Sequence, residues 1–307
     1  MRKLFITCLV VALSAIGALG QSQSAPTLRI QTEAPSLPSE LFYGNTRVKP
    51  LRLRPGTNVP ITIFDADFFV QQQYVDFLSR FPDQSGFNFW FNQIAGCGTN
   101  AGCIEEKRIN TSAAFFLSIE FKETGFLVHR LQRVSFGTLP RYAEFMPQVR
   151  QIGNGVIVNV GNWQQQLESN TQAFLNAWVS RSDFQAAYPA SMTPAAYVDK
   201  LIATAGVAPA DVNRDALVAG LTNGSETRAT VLRKIAESQA VSNKETNSAF
   251  VLMQYFGYLR RNPNDAPDTD MRGYDFWLKK LNEFGGDFKR AEMVKAFLVS
   301  GEYKDRF

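Results

Sequence analysis

The segment AFVLMQYFGYLRRNP occupies residues 249–263, and residues 68–82 read FFVQQQYVDFLSRFP. An aromatic–valine pair, a tyrosine, an aromatic–leucine pair, an arginine and a proline recur in both, each 181 residues apart, as Tyr74 and Tyr255 illustrate. Their apolar residues lie three and four positions apart and so form one stripe along a helix. Proline and the polar residues around it then end that helix. The two segments therefore predict the same aromatic helix near each end of the chain.

The similarity continues beyond these two helices. Gly86, Phe89, Trp90 and Ile94 correspond to Gly273, Phe276, Trp277 and Leu281, and Phe115, Ser118, Glu120 and Phe121 correspond to Phe297, Ser300, Glu302 and Tyr303. Such ordered matches indicate two copies of one three-helix unit. Two weaker copies lie between them, and serines recur at positions 118, 180, 238 and 300. This near-regular spacing favours four units rather than two.

We therefore predict an all-α fold made of four divergent three-helix units after an extended, proline-rich linker. The expected boundaries are a signal peptide at 1–20, the linker at 21–65 with a short strand at 59–64, and units at 66–124, 125–192, 193–243 and 244–307. The second unit carries an insertion whose glycine-rich part, 153–160, is expected to be a loop or one short strand.

Several helix starts can be predicted from capping signals. Thr193 followed by Pro194 is typical of an N-cap with proline at the first helical position. Ser242 with Glu245 fits a capping box. The repeated serines Ser118 and Ser300 are expected to cap the short turns that follow them.

The N-terminus predicts export. Arg2 and Lys3 precede the apolar run 4–19, and Ala18 and Gly20 stand three and one residues before Gln21. This layout is typical of a cleavable signal peptide, and the alternative is an uncleaved N-terminal anchor. The sequence offers no other stretch able to span a bilayer, so the mature chain is expected in the periplasm, at the cell surface or outside the cell.

Cysteine usage agrees with an oxidising compartment. Cys8 lies within the apolar run, which leaves Cys97 and Cys103 on either side of a five-residue loop. We predict a disulfide between them. A metal site would need two further ligands, and a redox motif would favour a tighter spacing.

Composition indicates a globular chain without an obvious polyanion partner. The 307 residues are 45% hydrophobic and 20% charged, and the net charge is +4. Removing Arg2 and Lys3 with the signal lowers that charge to +2. Because both signs are interspersed, neither nucleic acid nor an anionic membrane is expected as a partner.

Residues 69–90, 115–121 and especially 249–263 resemble the bacterial domain of unknown function 4214 family. The resemblance covers about residues 66–307. It implies an exported or surface protein, since members often occur in that context, sometimes beside calcium-binding repeats or β-sandwich modules. The family has no established catalytic residues, so the resemblance supplies none.

Candidate chemical groups are few. His129 is the only histidine, and the chain has no Gly-x-Ser-x-Gly elbow or phosphate-binding glycine motif. Glu105 and Glu106 would point about 100° apart on a helix and could not share a substrate. Glu120 and Glu302 are better explained by positions at helix starts than by acid catalysis.

The acidic turn 264–270 is the best metal candidate. Asp265, Asp268 and Asp270 could offer oxygen ligands to calcium. However, its prolines and spacing do not match an EF-hand, so a solvated turn is favoured and no cofactor is expected.

Aromatic residues make up 12% of the chain and can either fill a core or stack on sugars and bases. Since Trp90 and Trp277 recur at helical spacing with Ile94 and Leu281, we predict that they are core anchors. The function that follows is a non-catalytic binding or assembly module with an unknown protein or glycan partner. The alternatives are an envelope-polymer hydrolase, with carboxylates assembled between units, and a calcium-dependent adhesion module using the acidic turn.

Overall fold

A computed structural model describes residues 57–307 and three short strands that precede them. The strands are β1 (Leu28–Gln31), β2 (Glu40–Tyr43) and β3 (Thr46–Val48). They form one antiparallel sheet in the order β1-β2-β3, with Leu28 opposite Tyr43 and Leu41 opposite Val48. The predicted linker therefore contains a small sheet. The predicted signal peptide and the rest of the linker before residue 57 lie outside the described residues.

The short strand predicted at 59–64 is wrong. Only an isolated bridge occurs there, at Pro60, and residues 63–64 form a turn. Proline has no N–H for a strand ladder. The N–H of Thr62 is also diverted, because it donates to the carboxylate of Asp65 at 2.7 Å. That carboxylate belongs to the residue that starts the first helix.

From Ala66 onward the described chain is helical. The helices are α1 (Ala66–Gln73), α2 (Gln84–Ala95), α3 (Ala101–Leu117), α4 (Ile119–Glu123), α5 (Gly125–Phe136), α6 (Tyr142–Ile152), α7 (Trp163–Ser180), α8 (Ser182–Ala187), α9 (Pro194–Ala205), α10 (Arg214–Asn223), α11 (Arg228–Ala236), α12 (Gln239–Gln254), α13 (Arg272–Glu283), α14 (Met293–Val299) and α15 (Gly301–Lys304). The predicted all-α class is thus confirmed. The glycine-rich stretch 153–160 is a loop.

The first and last helical segments have the same order of elements. Both α1 and α12 continue into one π-helical turn, Tyr74–Leu78 and Tyr255–Leu259. A left-handed residue follows each turn, with φ of 55° at Ser79 and 53° at Arg260. Two longer helices and a short one come next in each case. The division of the whole chain into four such units stays a prediction, because the helices between 125 and 237 follow another order.

These two segments pack directly on each other. Phe77 and Tyr258, which are counterparts, make an edge-to-face contact with ring centroids 5.3 Å apart. A residue that meets its own counterpart is what a two-fold relation produces. Helix α3 packs on α14 beside this contact. Phe307, the last residue, contacts Phe68 of α1 at 5.3 Å, so the helical body closes on itself.

Helix α5 lies at the centre of the body. It packs against α4, α6, α9, α11 and α12, and one continuous core of buried apolar side chains runs through all of them. Within the part of the chain that the structure describes, no helix has the length and apolar character needed to cross a membrane.

The capping signals are partly confirmed. Thr193 accepts from the N–H of Ala196 at 3.3 Å, with Pro194 as the first helical residue. The capping box predicted at Ser242 is wrong, because α12 begins earlier and Ser238 caps it by accepting from Val241 at 3.3 Å. Ser242 lies inside the helix.

The predicted disulfide between Cys97 and Cys103 is confirmed. It joins the turn after α2 to the first turn of α3, with the two Cα atoms 5.6 Å apart. Asn100 lies between them and caps α3 by accepting from the N–H of Cys103 at 3.0 Å. The bridge therefore fixes the angle between the two helices that carry Trp90 and Phe115.

Candidate binding clefts

An open cleft lies between α2, the first π-helical turn and the junction of α3 with α4. Its volume is about 360 Å³, near the lower end of small-molecule pockets. We call it the first cleft. Its walls and floor include Tyr74, Leu78, Arg80, Asp83, Gly86, Trp90, Phe115, Ser118 and Glu120, and the loop at 158–160 adds a third wall.

A bidentate ion pair forms the floor of the first cleft. The π-helical turn and the left-handed Ser79 end the helix so that Arg80 leads back toward α4. Its Nε and Nη2 donate to the two carboxylate oxygens of Glu120, each at 2.7 Å. Burial alone would lower the pKa of Arg80, but the bonds to Glu120 raise it above its usual value. Arg80 therefore carries its positive charge at any ordinary pH.

Asp83 adds a second carboxylate beside this pair. It is the N-cap of α2 and accepts from the N–H of Gly86 at 2.9 Å and the hydroxyl of Ser85 at 2.7 Å. The bond from Gly86, followed by that from Ser85, lowers the pKa of Asp83 below its usual value. One of its oxygens lies 3.7 Å from Nη1 of Arg80. The floor thus offers hydrogen-bond donors and acceptors side by side.

The hydroxyl of Tyr74 lines the cleft without a hydrogen-bond partner among the described residues, although the side chain is only 4% exposed. Its ring packs edge-to-face on Phe115 at 4.7 Å. Burial, with a contribution from nearby Asp83, raises the pKa of Tyr74 to about 12. The hydroxyl lies so close to Gly86 that a Cβ there would overlap it. Glycine is therefore required where α2 passes the tyrosine.

Trp90 forms a wall of the cleft and also packs against the core, so its prediction as a core anchor is confirmed in part. Its indole is only half-buried, 6.0 Å from Phe115, and neighbouring Phe89 is 56% exposed. Ile94, one turn further along α2, is buried as expected. Helical spacing thus identified the inward stripe of α2 correctly, but the tryptophan lies at the edge of that stripe.

A second cleft repeats this arrangement in the last segment. It is lined by Tyr255, Leu259, Arg261, Asp268, Trp277, Ala296, Phe297 and Ser300. Most of these are the counterparts of residues in the first cleft. The volume is smaller, about 180 Å³, and among the described residues no loop lines it as 158–160 lines the first cleft.

The contacts of the second cleft match those of the first. Arg261 donates to both oxygens of Glu302, at 2.5 and 3.1 Å, and to Asp268 at 2.8 Å. Tyr255 is 3% exposed, and burial, with a contribution from Asp268, raises its pKa to about 12. Its hydroxyl likewise has no hydrogen-bond partner in the described part of the chain. A Cβ on Gly273 would lie 2.6 Å from that hydroxyl.

Half-burial also recurs at the tryptophan of the second cleft. Trp277 is half-buried and lies 5.9 Å from Phe297, while adjacent Phe276 is 56% exposed. The prediction that this indole is a core anchor is likewise confirmed in part, because it packs against the core from a partly exposed position. Leu281, the partner in its helical stripe, is buried.

The carboxylates of the acidic turn do not converge. Asp265 accepts from the N–H of Asn262 at 2.9 Å, Asp268 pairs with Arg261, and Asp270 pairs with Arg272 at 2.6 Å. Each carboxylate thus has its own donor. In residues 57–307 no group of three or more histidine, cysteine or acidic side chains is placed to hold a metal ion.

His129 is buried between α5 and α12 and does not belong to either cleft. Its Nε2 lies 3.2 Å from Glu245 and 3.4 Å from the hydroxyl of Ser248. A catalytic triad needs the acid and the serine on opposite ring nitrogens, whereas here both share one. Burial lowers the pKa of His129, although Glu245 opposes that shift. The cluster is a neutral histidine inside the core.

The adjacent residues Glu105 and Glu106 each form an ion pair with a lysine. Glu105 lies 2.7 Å from Lys295, and Glu106 lies 3.8 Å from Lys289, across the contact between the first and last segments. These residues join two parts of the body.

The sequence analysis identified the cleft residues as members of the repeat, but it did not predict that they form a binding site. Arg80 with Glu120 and Arg261 with Glu302 recur among the aromatic matches. Polar residues that recur at core-like positions were the available signal. Comparisons of the chain with family models, curated proteins and solved structures found no match, so the family resemblance stays a prediction.

Proposed function

We propose that this protein is an exported, non-catalytic module that binds a partner at the bacterial surface or outside the cell through its two clefts. The observation that carries the proposal is the double occurrence of one arrangement. An open cleft with a half-buried tryptophan, an Arg–Glu pair and a tyrosine hydroxyl is built twice from counterpart residues.

Packing alone does not explain these features. The hydroxyls of Tyr74 and Tyr255 line the open clefts and have no hydrogen-bond partner among the described residues, so each can bond to a ligand. The indoles of Trp90 and Trp277 leave apolar surface open beside exposed phenylalanines. A bound ligand would supply both missing contacts, because amphipathic aromatics and a few convergent polar groups are typical of binding sites.

A hydrolase receives less support from the same cleft. General acid catalysis on a polymer requires a carboxylic acid that holds its proton near neutral pH. Asp83 has a lowered pKa, and both oxygens of Glu120 accept from Arg80. Neither carboxylate is suited to give up a proton to a leaving group.

Calcium-dependent adhesion through the acidic turn is also less supported, since Asp268 and Asp270 are each paired with an arginine. Export is favoured by the N-terminal pattern and by the disulfide, which is typical of oxidising compartments.

Retention on the envelope fraction of the producing cells tests this function. We expect Trp90→Ala to weaken retention at least tenfold, because it removes a wall of the larger cleft. Trp163→Ala is the matched control, since Trp163 is also half-buried but lies outside both clefts. Equal retention of wild type and Trp90→Ala, with both folded, would reject the proposal.

A further inference from the structure

We infer that the ligand of both clefts is a neutral carbohydrate chain whose sugar ring stacks on the tryptophan while its hydroxyls bind the polar floor. The inference rests on the proposed function and names the chemical class of the ligand.

The walls of each cleft suit a sugar ring. The C–H face of a pyranose is apolar and matches the flat side of an indole, whereas its edge is polar. Trp90 and Trp277 each expose part of the indole next to a polar floor. An aromatic ring that has one side on the core and one side at an open cleft can contact the apolar face and leave the hydroxyls free to bind elsewhere.

The charges of the floor disfavour an anionic ligand. In the first cleft the positive charge of Arg80 is matched by Glu120, and Asp83 adds one further negative charge. An anionic ligand would therefore meet two carboxylates. The guanidinium of Arg80 is already paired with Glu120, and an apolar ligand would leave the floor without hydrogen-bond partners. The second cleft has the same balance in Arg261, Glu302 and Asp268.

Hydroxyl groups fit this floor because each can donate and accept. In the first cleft Asp83 only accepts and the guanidinium of Arg80 only donates, so vicinal hydroxyls can bridge between them. In the second cleft Arg261 already donates to Glu302, Asp268 and backbone carbonyl groups, so that floor offers mainly acceptors. The free hydroxyl of Tyr74, and likewise that of Tyr255, can pair with a third sugar hydroxyl in either direction. A row of such groups is what a polyhydroxylated chain presents.

The two clefts are expected to differ in strength. The loop wall at 158–160 closes one side of the first cleft, and its volume is about 360 Å³ against about 180 Å³ for the second. More of a ligand is therefore removed from water in the first cleft. We expect it to be the tighter of the two sites.

Titration calorimetry of the whole exported protein tests the ligand class. The probes are four neutral hexasaccharides, namely cellohexaose, maltohexaose, chitohexaose and mannohexaose, together with the anionic hexagalacturonate. We expect at least one neutral chain to bind and hexagalacturonate to bind at least tenfold more weakly. Trp90→Ala should weaken the neutral chain at least tenfold, and Trp163→Ala should leave it unchanged.

Tyr74→Phe separates a ligand-binding hydroxyl from a structural one. The hydroxyl has no protein partner, so its removal should leave the melting temperature unchanged or slightly raised. Sugar affinity should fall by about threefold or more. A fall in affinity with no loss of stability supports the inference.

The inference is overturned if no neutral chain binds, if hexagalacturonate binds most tightly, or if Trp90→Ala and Tyr74→Phe leave neutral binding unchanged. The retention experiment distinguishes failure of this inference from failure of the proposed function. If Trp90 is needed for retention on the envelope fraction but no neutral chain binds, the clefts bind another class of ligand. If retention does not depend on Trp90, the function itself is wrong.

Discussion

Ser79 and Arg260 adopt a left-handed conformation that residues other than glycine rarely take. Such a conformation is unfavourable by roughly 1–2 kcal/mol per residue. In both places it follows a π-helical turn, a feature that is frequent at functional sites. The benefit is that the next residue, Arg80 or Arg261, reaches its glutamate across the cleft. Backbone strain and side-chain placement are thus linked at the same positions.

His129 gives a pH prediction that can be isolated, because it is the only histidine in the chain. Burial lowers its folded-state pKa below the usual value near 6.5. Below that pH the unfolded chain binds a proton that the folded chain does not. The free energy of unfolding should therefore be highest above about pH 6.5 and decrease toward pH 5, with a slope of at most about 1.4 kcal/mol per pH unit.

Denaturant unfolding between pH 7.5 and 5 measures this slope. His129→Gln is the control, since an amide at this position can still donate to Glu245 but does not titrate. Its slope should be close to zero in the same range. A variant with the wild-type slope would show that another group is responsible.

For single residues, the sequence predicts which side chains face inward from a helix better than it predicts how much of each side chain is exposed. Ile94 and Leu281 are buried as their spacing required, and the two cysteines are bridged. Periodicity identifies the inward side of a helix but not how far a neighbouring element covers it. The half-burial of Trp90 depends on α3, and its open side depends on a loop some 70 residues away.

Short helices in this fold depend on their caps. Ser118 accepts from the N–H of Phe121 at 3.0 Å, and Ser300 accepts from Tyr303 at 3.2 Å. Ser180 lacks this role, because it is the last residue of α7 and donates to the carbonyl of Asn176. Three serines of the regular series at 118, 180, 238 and 300 therefore cap helices and one does not.

Because Ser118 and Ser300 cap helices and Ser180 does not, Ser180→Ala is a control for the same substitution at the other two positions. We predict that Ser118→Ala and Ser300→Ala each lower the free energy of unfolding by about 1 kcal/mol, as removal of an N-cap usually does. Ser180→Ala should change it by less than about 0.5 kcal/mol. Urea unfolding of the three variants checks this, and equal effects at all three positions would mean that capping is not what these serines contribute.

The first residue of a helix could be predicted from the sequence where its capping hydrogen bond joins residues close together in the chain. Thr193–Pro194, Ser118 and Ser300 are caps because the hydrogen bond spans only three residues. Ser242 also fits the local pattern, but the chain already enters the helix after Ser238. The ion pairs of the clefts join residues about 40 positions apart, so the folded arrangement decides them.

The whole helical body is closed by contacts between its two ends. Asp76 of the first segment is fully buried and accepts from Arg306 at 2.7 and 3.1 Å. Arg306 also donates to the carbonyl groups of Gly257 and Tyr258 in the last segment. Arg306 therefore connects its own segment to both π-helical turns at the place where the turns contact each other.

We predict that Arg306→Met lowers the free energy of unfolding by about 3 kcal/mol, because it leaves a buried carboxylate with less compensation. The double variant Asp76→Leu with Arg306→Met should recover part of this loss, since neither charge then remains buried. A double-mutant cycle by urea unfolding measures the coupling between the two residues. Strictly additive effects would contradict the closing role given to this pair.

Two clefts on one chain predict bivalent attachment to a surface that presents many copies of a ligand. Once the first cleft is occupied, the second binds at a high effective concentration, and overall affinity can exceed that of either site by about 10²–10⁴-fold. Two counterpart sites in a closed body would therefore hold the protein on a polymer more firmly than one.

The most direct measurement of this account is the apparent dissociation constant for the envelope fraction with either or both clefts altered. Trp90→Ala and Trp277→Ala should each weaken binding at least tenfold, and the double variant should bind no better than background. Trp163→Ala should match wild type. A folded double variant that is retained as well as wild type would contradict the assignment of binding to these clefts.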